Sequence, residues 1–198
     1  MNKLCLVFIL LLAGCKTSSE DKTSSPPPSP IAPVVIEKTP ELIQELKAQP
    51  TIDDQFGVIY ENFEHLLDRS ESLTGPDGNN NGIRDDIEAF IDALEITEPV
   101  RNVLKQNAHY QQENLNYDFS DKSDANARIA LEISRKYDKV IACKAFLGIS
   151  VDDIIDTSRT IVALTYNTKA RTMAYLAYNR ILDGTISTAL AHEEQYCE

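Results

Sequence analysis

Between Asp77 and Glu88 the chain reads Asp-Gly-Asn-Asn-Asn-Gly-Ile-Arg-Asp-Asp-Ile-Glu, which places oxygen-bearing side chains at segment positions 1, 3, 5, 9 and 12 and a glycine at position 6. Those residue types suit one kind of chemistry. A hard divalent cation such as Ca2+ takes six to eight oxygens at about 2.3–2.6 Å. Asp77, Asn79 and Asn81 alternate, so a tight turn points all three inward. Gly82 permits the reversal that the turn needs. The Ile83 carbonyl would follow as a main-chain ligand, Asp85 could bind directly or through water, and Glu88 lies one helical turn beyond Asp85. A plain Asn-Gly turn leading into an acid-capped helix explains fewer of these residues, because a turn needs only one or two of them.

The segment resembles the calcium loops of bacterial EF-hand-like proteins and of thrombospondin type 3 repeats. The resemblance covers only Asp77–Glu88 and occurs once in the chain. It implies a calcium site made of Asp77, Asn79, Asn81, Ile83, Asp85 and Glu88. With asparagine at positions 3 and 5 the ligand charge is low, so the implied affinity is weak, on the order of 10⁻⁴–10⁻³ M, and the implied role is structural. Arg84 stands at position 8, where an EF-hand carries a hydrophobic residue.

The N-terminus carries a second pattern. Lys3 precedes an apolar run from Leu4 to Leu12, and Ala13-Gly14-Cys15 follows. The run is shorter than the roughly 20 residues of a membrane span and fits a signal peptide. Leu12-Ala13-Gly14-Cys15 resembles the lipobox of bacterial lipoproteins. That resemblance implies a signal peptide over residues 1–14 and an acylated Cys15 as the mature N-terminus. It also implies a place in the bacterial cell envelope, held on the membrane by lipid. Lys16, rather than aspartate, after the acylated residue points to the outer membrane, facing the periplasm or the cell surface. Residues 16–39 are rich in Ser, Thr and Pro and have little to bury, so they read as a disordered tether.

If Cys5 leaves with the signal peptide and Cys15 is acylated, Cys143 and Cys197 remain. In an oxidising compartment they are expected to pair. The pair would stabilise the domain by roughly 4 kcal/mol in the chain-entropy model. A zinc site of Cys143, Cys197 and His192 would lack a fourth ligand.

The elements that must hold these groups are helical. Thr39-Pro40 starts a short helix, and the stripe Ile52, Phe56, Ile59, Phe63, Leu66, Leu67 predicts a helix over Asp53–Ser70. Further helices are expected from the Ile87 stripe, over Thr97–Asn116, from Ser123 or Asp124 to Leu147, after Ser150, and after Thr168. The middle of the Thr97–Asn116 helix is polar and is expected on the surface. The fold class is all-α: one bundle-like domain over residues 40–198, of about six helices.

The chain has 31 acidic and 19 basic residues and a net charge of −12. That argues against a nucleic-acid role, since phosphate binding needs a basic surface. The three histidines, His65, His109 and His192, form no His-Glu-x-x-His motif. A non-catalytic binding or envelope-support lipoprotein, with an unknown protein partner, is therefore the first reading. A calcium-dependent hydrolase, motivated only by Asp85/Asp86 and Asp152/Asp153, is the second. The tyrosines Tyr166, Tyr175 and Tyr178 could line a groove but suit helix packing better.

Overall fold

The computed structural model describes residues 34–198. The expected signal peptide, Cys15 and the expected tether up to residue 33 lie outside the described residues. Seven α-helices are found among the described residues: α1 Pro40–Lys47, α2 Ile52–Phe63, α3 Asp85–Ala93, α4 Glu98–Glu113, α5 Asp124–Phe146, α6 Val151–Thr165 and α7 Lys169–Leu182. Short 3-10 turns follow α2 and α4 and precede the C-terminus. No described helix is long and apolar enough to cross a membrane.

Most helix starts follow the hydroxyl caps legible in the sequence. Thr39, Thr51, Ser123, Ser150 and Thr168 each accept a main-chain N–H of the first turn they precede. Each such cap stabilises by about 1 kcal/mol. The beginning of α2 gains a second, distant cap. Asp153 Oδ1, from α6, accepts the N–H groups of Ile52 at 3.0 Å and Asp53 at 3.3 Å. Asp153 stands in the first turn of α6, yet its carboxylate serves the start of another helix.

The principal core gathers Leu42 and Leu46 from α1, Phe56 and Ile59 from α2, Ile87, Phe90 and Ile91 from α3, Leu104 and Ala108 from α4, and Ile161 and Leu164 from α6. Two smaller clusters flank it. Val103, Tyr110, Val140 and Cys143 join α4 to α5, and Phe119, Ala130, Ile133 and Tyr178 join α5 to α7. Cys143 and Cys197 form a disulfide with S–S 2.02 Å. The tail is thereby tied to α5, and neither sulfur is left as a thiolate to bind zinc. Gln106 adds a hydrogen bond to the Tyr196 carbonyl, and Tyr110 donates to Glu198.

Three sequence expectations change. The expected surface helix, α4, is central: it packs against α3, α5 and α6. Gln106, Asn107 and Gln112 are buried because their amides satisfy loop, tail and side-chain groups inside the bundle. The helix predicted to run to Ser70 stops at Phe63, and the chain leaves a 3-10 turn at Leu67 in extended conformation. Hydrogen bonds to Asp68, described below, pull it off the helical path. Finally, packing begins before Pro40: Ile36 is buried in the core, and Lys38 contacts Glu95 at 2.6 Å.

Candidate metal centre

The 77–88 segment folds around the carboxylate of Asp77. Asp77 Oδ1 accepts the Asn81 N–H at 3.1 Å, and Oδ2 accepts the Gly82 N–H at 2.9 Å. Asn79 Oδ1 accepts Asn81 N–H at 3.1 Å, and Asn81 Oδ1 accepts Ile83 N–H at 2.8 Å. These are side chain-to-main chain turns of the kind that Asp and Asn make readily. Asn80 and Gly82 take φ of 56° and 79°. Gly82 is further constrained from outside, since a Cβ there would stand 3.1 Å from His109 Nε2.

Two ligand candidates arrive from α3. Asp85 Oδ1 accepts the Gly78 N–H at 2.9 Å, and Asp85 N–H donates to the Pro76 carbonyl at 2.9 Å. Glu88 reaches back over the loop and accepts from Asn79 Nδ2 and Asn81 Nδ2, each at 2.9 Å. The structure thus brings Asp77, Asn79, Asn81 and Glu88 together directly and ties in Asp85 through Gly78. Only the exiting helix of a helix–loop–helix is present. Residues 67–84, which lead in, form no α-helix.

Among the described residues, no group of three or more His, Cys, Asp and Glu side chains is placed to hold a metal by those types alone. The loop's donor set is of mixed type: three carboxylates, two amides and a main-chain carbonyl. Such a set suits a hard cation. An amide oxygen retains a second lone pair after accepting one N–H. Glu88, by contrast, is occupied by donors. Besides the two amides it accepts from Lys105 Nζ, at 3.0 Å from Oε1, and Lys105 also meets Asp92 at 2.9 Å. Burial alone would lower the Lys105 pKa, but hydrogen bonds to Asp92 and Glu88 outweigh it and raise it.

Below the loop lies a support that the sequence reading did not identify. Arg84 is fully buried. It donates Nε to Asp86 Oδ1 at 2.5 Å and Nη2 to Asp86 Oδ2 at 3.0 Å, and it caps the end of α6 through the Leu164 and Thr165 carbonyls. Asp86 Oδ2 also accepts the Asp68 N–H at 2.7 Å. Arg171, equally buried, donates to Asp68 Oδ2 at 2.5 Å and to the carbonyls of Asp68, Ser72 and Leu73. Burial alone would raise the Asp68 carboxyl; bonds from Arg171 and Ser70 outweigh it and hold it below its ordinary range. Gln112 of α4 completes the base, accepting Arg84 N–H and donating to the Thr74 carbonyl. Gly75 has φ of 68°, and a Cβ there would lie 2.3 Å from Arg84 Cδ. A faint signal for these residues exists. Arg84 interrupts an apolar stripe between Ile83 and Ile87, and Arg171 shares a helical stripe with Ala174 and Tyr178.

Two of the four carboxylates that motivated hydrolysis are engaged elsewhere. Asp86 is 1% exposed against Arg84, and Asp153 caps α2. Lys144 does meet hydroxyls: its Nζ lies 2.9 Å from Ser158 Oγ and 3.0 Å from Thr157 Oγ1. Ser158, however, sits inside α6 and donates its hydroxyl hydrogen to the Ile154 carbonyl at 2.7 Å. The neighbouring helix N–H groups are taken by the helix itself, so this is a buried polar contact. The tyrosines pack: Tyr166 and Tyr175 stack with centroids 4.2 Å apart.

The chain matches no protein-family model, no curated protein and no solved structure.

Proposed function

We propose that this chain is a lipid-anchored protein of the bacterial cell envelope. In this reading its helical body carries one structural Ca2+ and acts as a non-catalytic binding or support protein. The observation that carries the metal part is the turn around Asp77. One carboxylate collects two successive N–H groups, while Glu88 closes over Asn79 and Asn81 from the next helix. Asp77, Asn79, Asn81, Ile83, Asp85 and Glu88 would hold the ion, and the ion would brace the irregular chain between α2 and α3. The anchor rests on the lipobox-like Leu12–Cys15 and the short apolar run before it. A multiply acylated N-terminus binds a bilayer far more strongly than one chain does.

The test uses the mature protein extracted from membranes in mild detergent. Mass spectrometry of its N-terminus is expected to find an acylated Cys15. Calorimetric titration is expected to find one Ca2+ with a dissociation constant on the order of 10⁻⁴–10⁻³ M, with a calcium-dependent rise in melting temperature. The D77N/E88Q variant is expected to lose both the heat and the rise. A wild-type chain with neither response overturns the metal reading, and an unmodified N-terminus overturns the anchor.

A further inference from the structure

We infer that Lys105 is a built-in competitor for the cation, holding Glu88 while the loop is ion-free and retreating to Asp92 when an ion takes Glu88. This rests on the calcium reading above. Glu88 and Asp92 lie one helical turn apart on α3, and Lys105 reaches both from α4. Its ammonium is 3.0 Å from Glu88 Oε1, 2.9 Å from Asp92 Oδ1 and 3.0 Å from Asp92 Oδ2. Glu88 is the least exposed of the three, with its side chain 17% accessible, against 25% for Lys105 and 46% for Asp92.

Both Glu88 oxygens are engaged by N–H donors. Asn79 and Asn81 supply two of them and Lys105 the third. A cation ligand must offer lone pairs, so these donors have to leave Glu88. The asparagines carry an acceptor as well as donors and can exchange one for the other; an ammonium has donors alone. Lys105 must therefore give up Glu88 or remain as a like charge beside a divalent ion. Asp92 makes the first course available, because the ammonium already contacts it and need only shift its weight. A single side chain then does two things. It stands in for the missing positive charge and keeps Glu88 folded over the loop, and it raises the calcium concentration at which the loop fills.

K105M keeps the aliphatic stem and removes the charge. With the full-length protein in detergent, titrated with CaCl2, K105M is expected to bind calcium about tenfold more tightly than wild type, the effect of one like charge at a partly screened site. Its ion-free melting temperature should be lower than wild type, and its calcium-induced rise larger. D92N should move affinity the other way, several-fold weaker, because Lys105 then has only Glu88. Wild-type binding with unchanged or weaker affinity in K105M overturns this inference and leaves the calcium site standing. An unchanged affinity in D92N refutes the role given to Asp92. A chain that binds no calcium with or without K105M overturns both.

Discussion

Arg84 and Lys144 are both fully buried cations, yet the bundle treats them in opposite ways. Arg84 meets a carboxylate through two hydrogen bonds and spends further N–H groups on the open end of α6. Lys144 meets only hydroxyls: Thr157 Oγ1 at 3.0 Å and Ser158 Oγ at 2.9 Å. Burial pushes the Lys144 pKa down to about 7, and the more distant Asp153 offsets only part of that. A guanidinium with a matched carboxylate is a permanent part of the structure. An ammonium among hydroxyls is a strain that the protein sheds by losing a proton.

Breaking the first arrangement should cost most. R84M leaves Asp86 buried without its partner, and urea denaturation is expected to show a loss of about 3–5 kcal/mol. If D86N is combined with R84M, part of that loss should return, because no lone charge is then left inside. A loss below about 1 kcal/mol in R84M would make the two cations equivalent and end the contrast.

The second arrangement predicts a gain. K144M should be more stable than wild type at pH 6, by about 2 kcal/mol, since it removes a buried unpaired charge and keeps the volume. The folded-state pKa lies below the unfolded one, so the penalty is complete below about pH 7 and fades as pH rises toward 10.5. The stability of wild type relative to K144M should therefore climb between pH 7 and 10. Parallel pH profiles would show that Lys144 does not titrate as argued.

D68N gives the smallest effect and grades the contrast. The Asp68–Arg171 pair is partly exposed on its acidic side, at 18%, and Arg171 keeps four acceptors without it: the carbonyls of Asp68, Ser72 and Leu73 and Asn167 Oδ1. A loss of about 1–2 kcal/mol is expected near neutral pH. Because the Asp68 pKa is depressed in the folded state, that contribution is present above the ordinary aspartate range and disappears as acid protonates it. Wild type and D68N should therefore converge in acid.

Why the loop was legible in the sequence while its support was not follows from the kind of signal each leaves. Asp77, Asn79, Asn81, Gly82 and Glu88 act on one another within a dozen residues, so their spacing carries the geometry. The hydroxyl caps at Thr39, Ser123, Ser150 and Thr168 are equally local, which is why those helix starts and the all-α class could be anticipated. The Arg171–Asp68 contact joins residues separated by 103 positions. Nothing in the spacing of either residue announces the other. The same holds for α4, where Gln106, Asn107 and Gln112 read as surface residues because amides are usually solvated. Their partners on the tail, α6 and the residue-74 turn are supplied only by the fold. The early end of α2 has the same origin, since periodicity alone continues it through Leu67.

The cap that Asp153 places on α2 sets an order of assembly. It spans 101 residues to Ile52. As the chain emerges from its N-terminus, the first turn of α2 has only Thr51 and water until α6 has been made. A nascent chain cut anywhere before that point carries α2 with a frayed start, so the second helix in the sequence is among the last to be finished. Amide exchange at Ile52 and Asp53 should accordingly report the docking of α6 rather than the formation of α2.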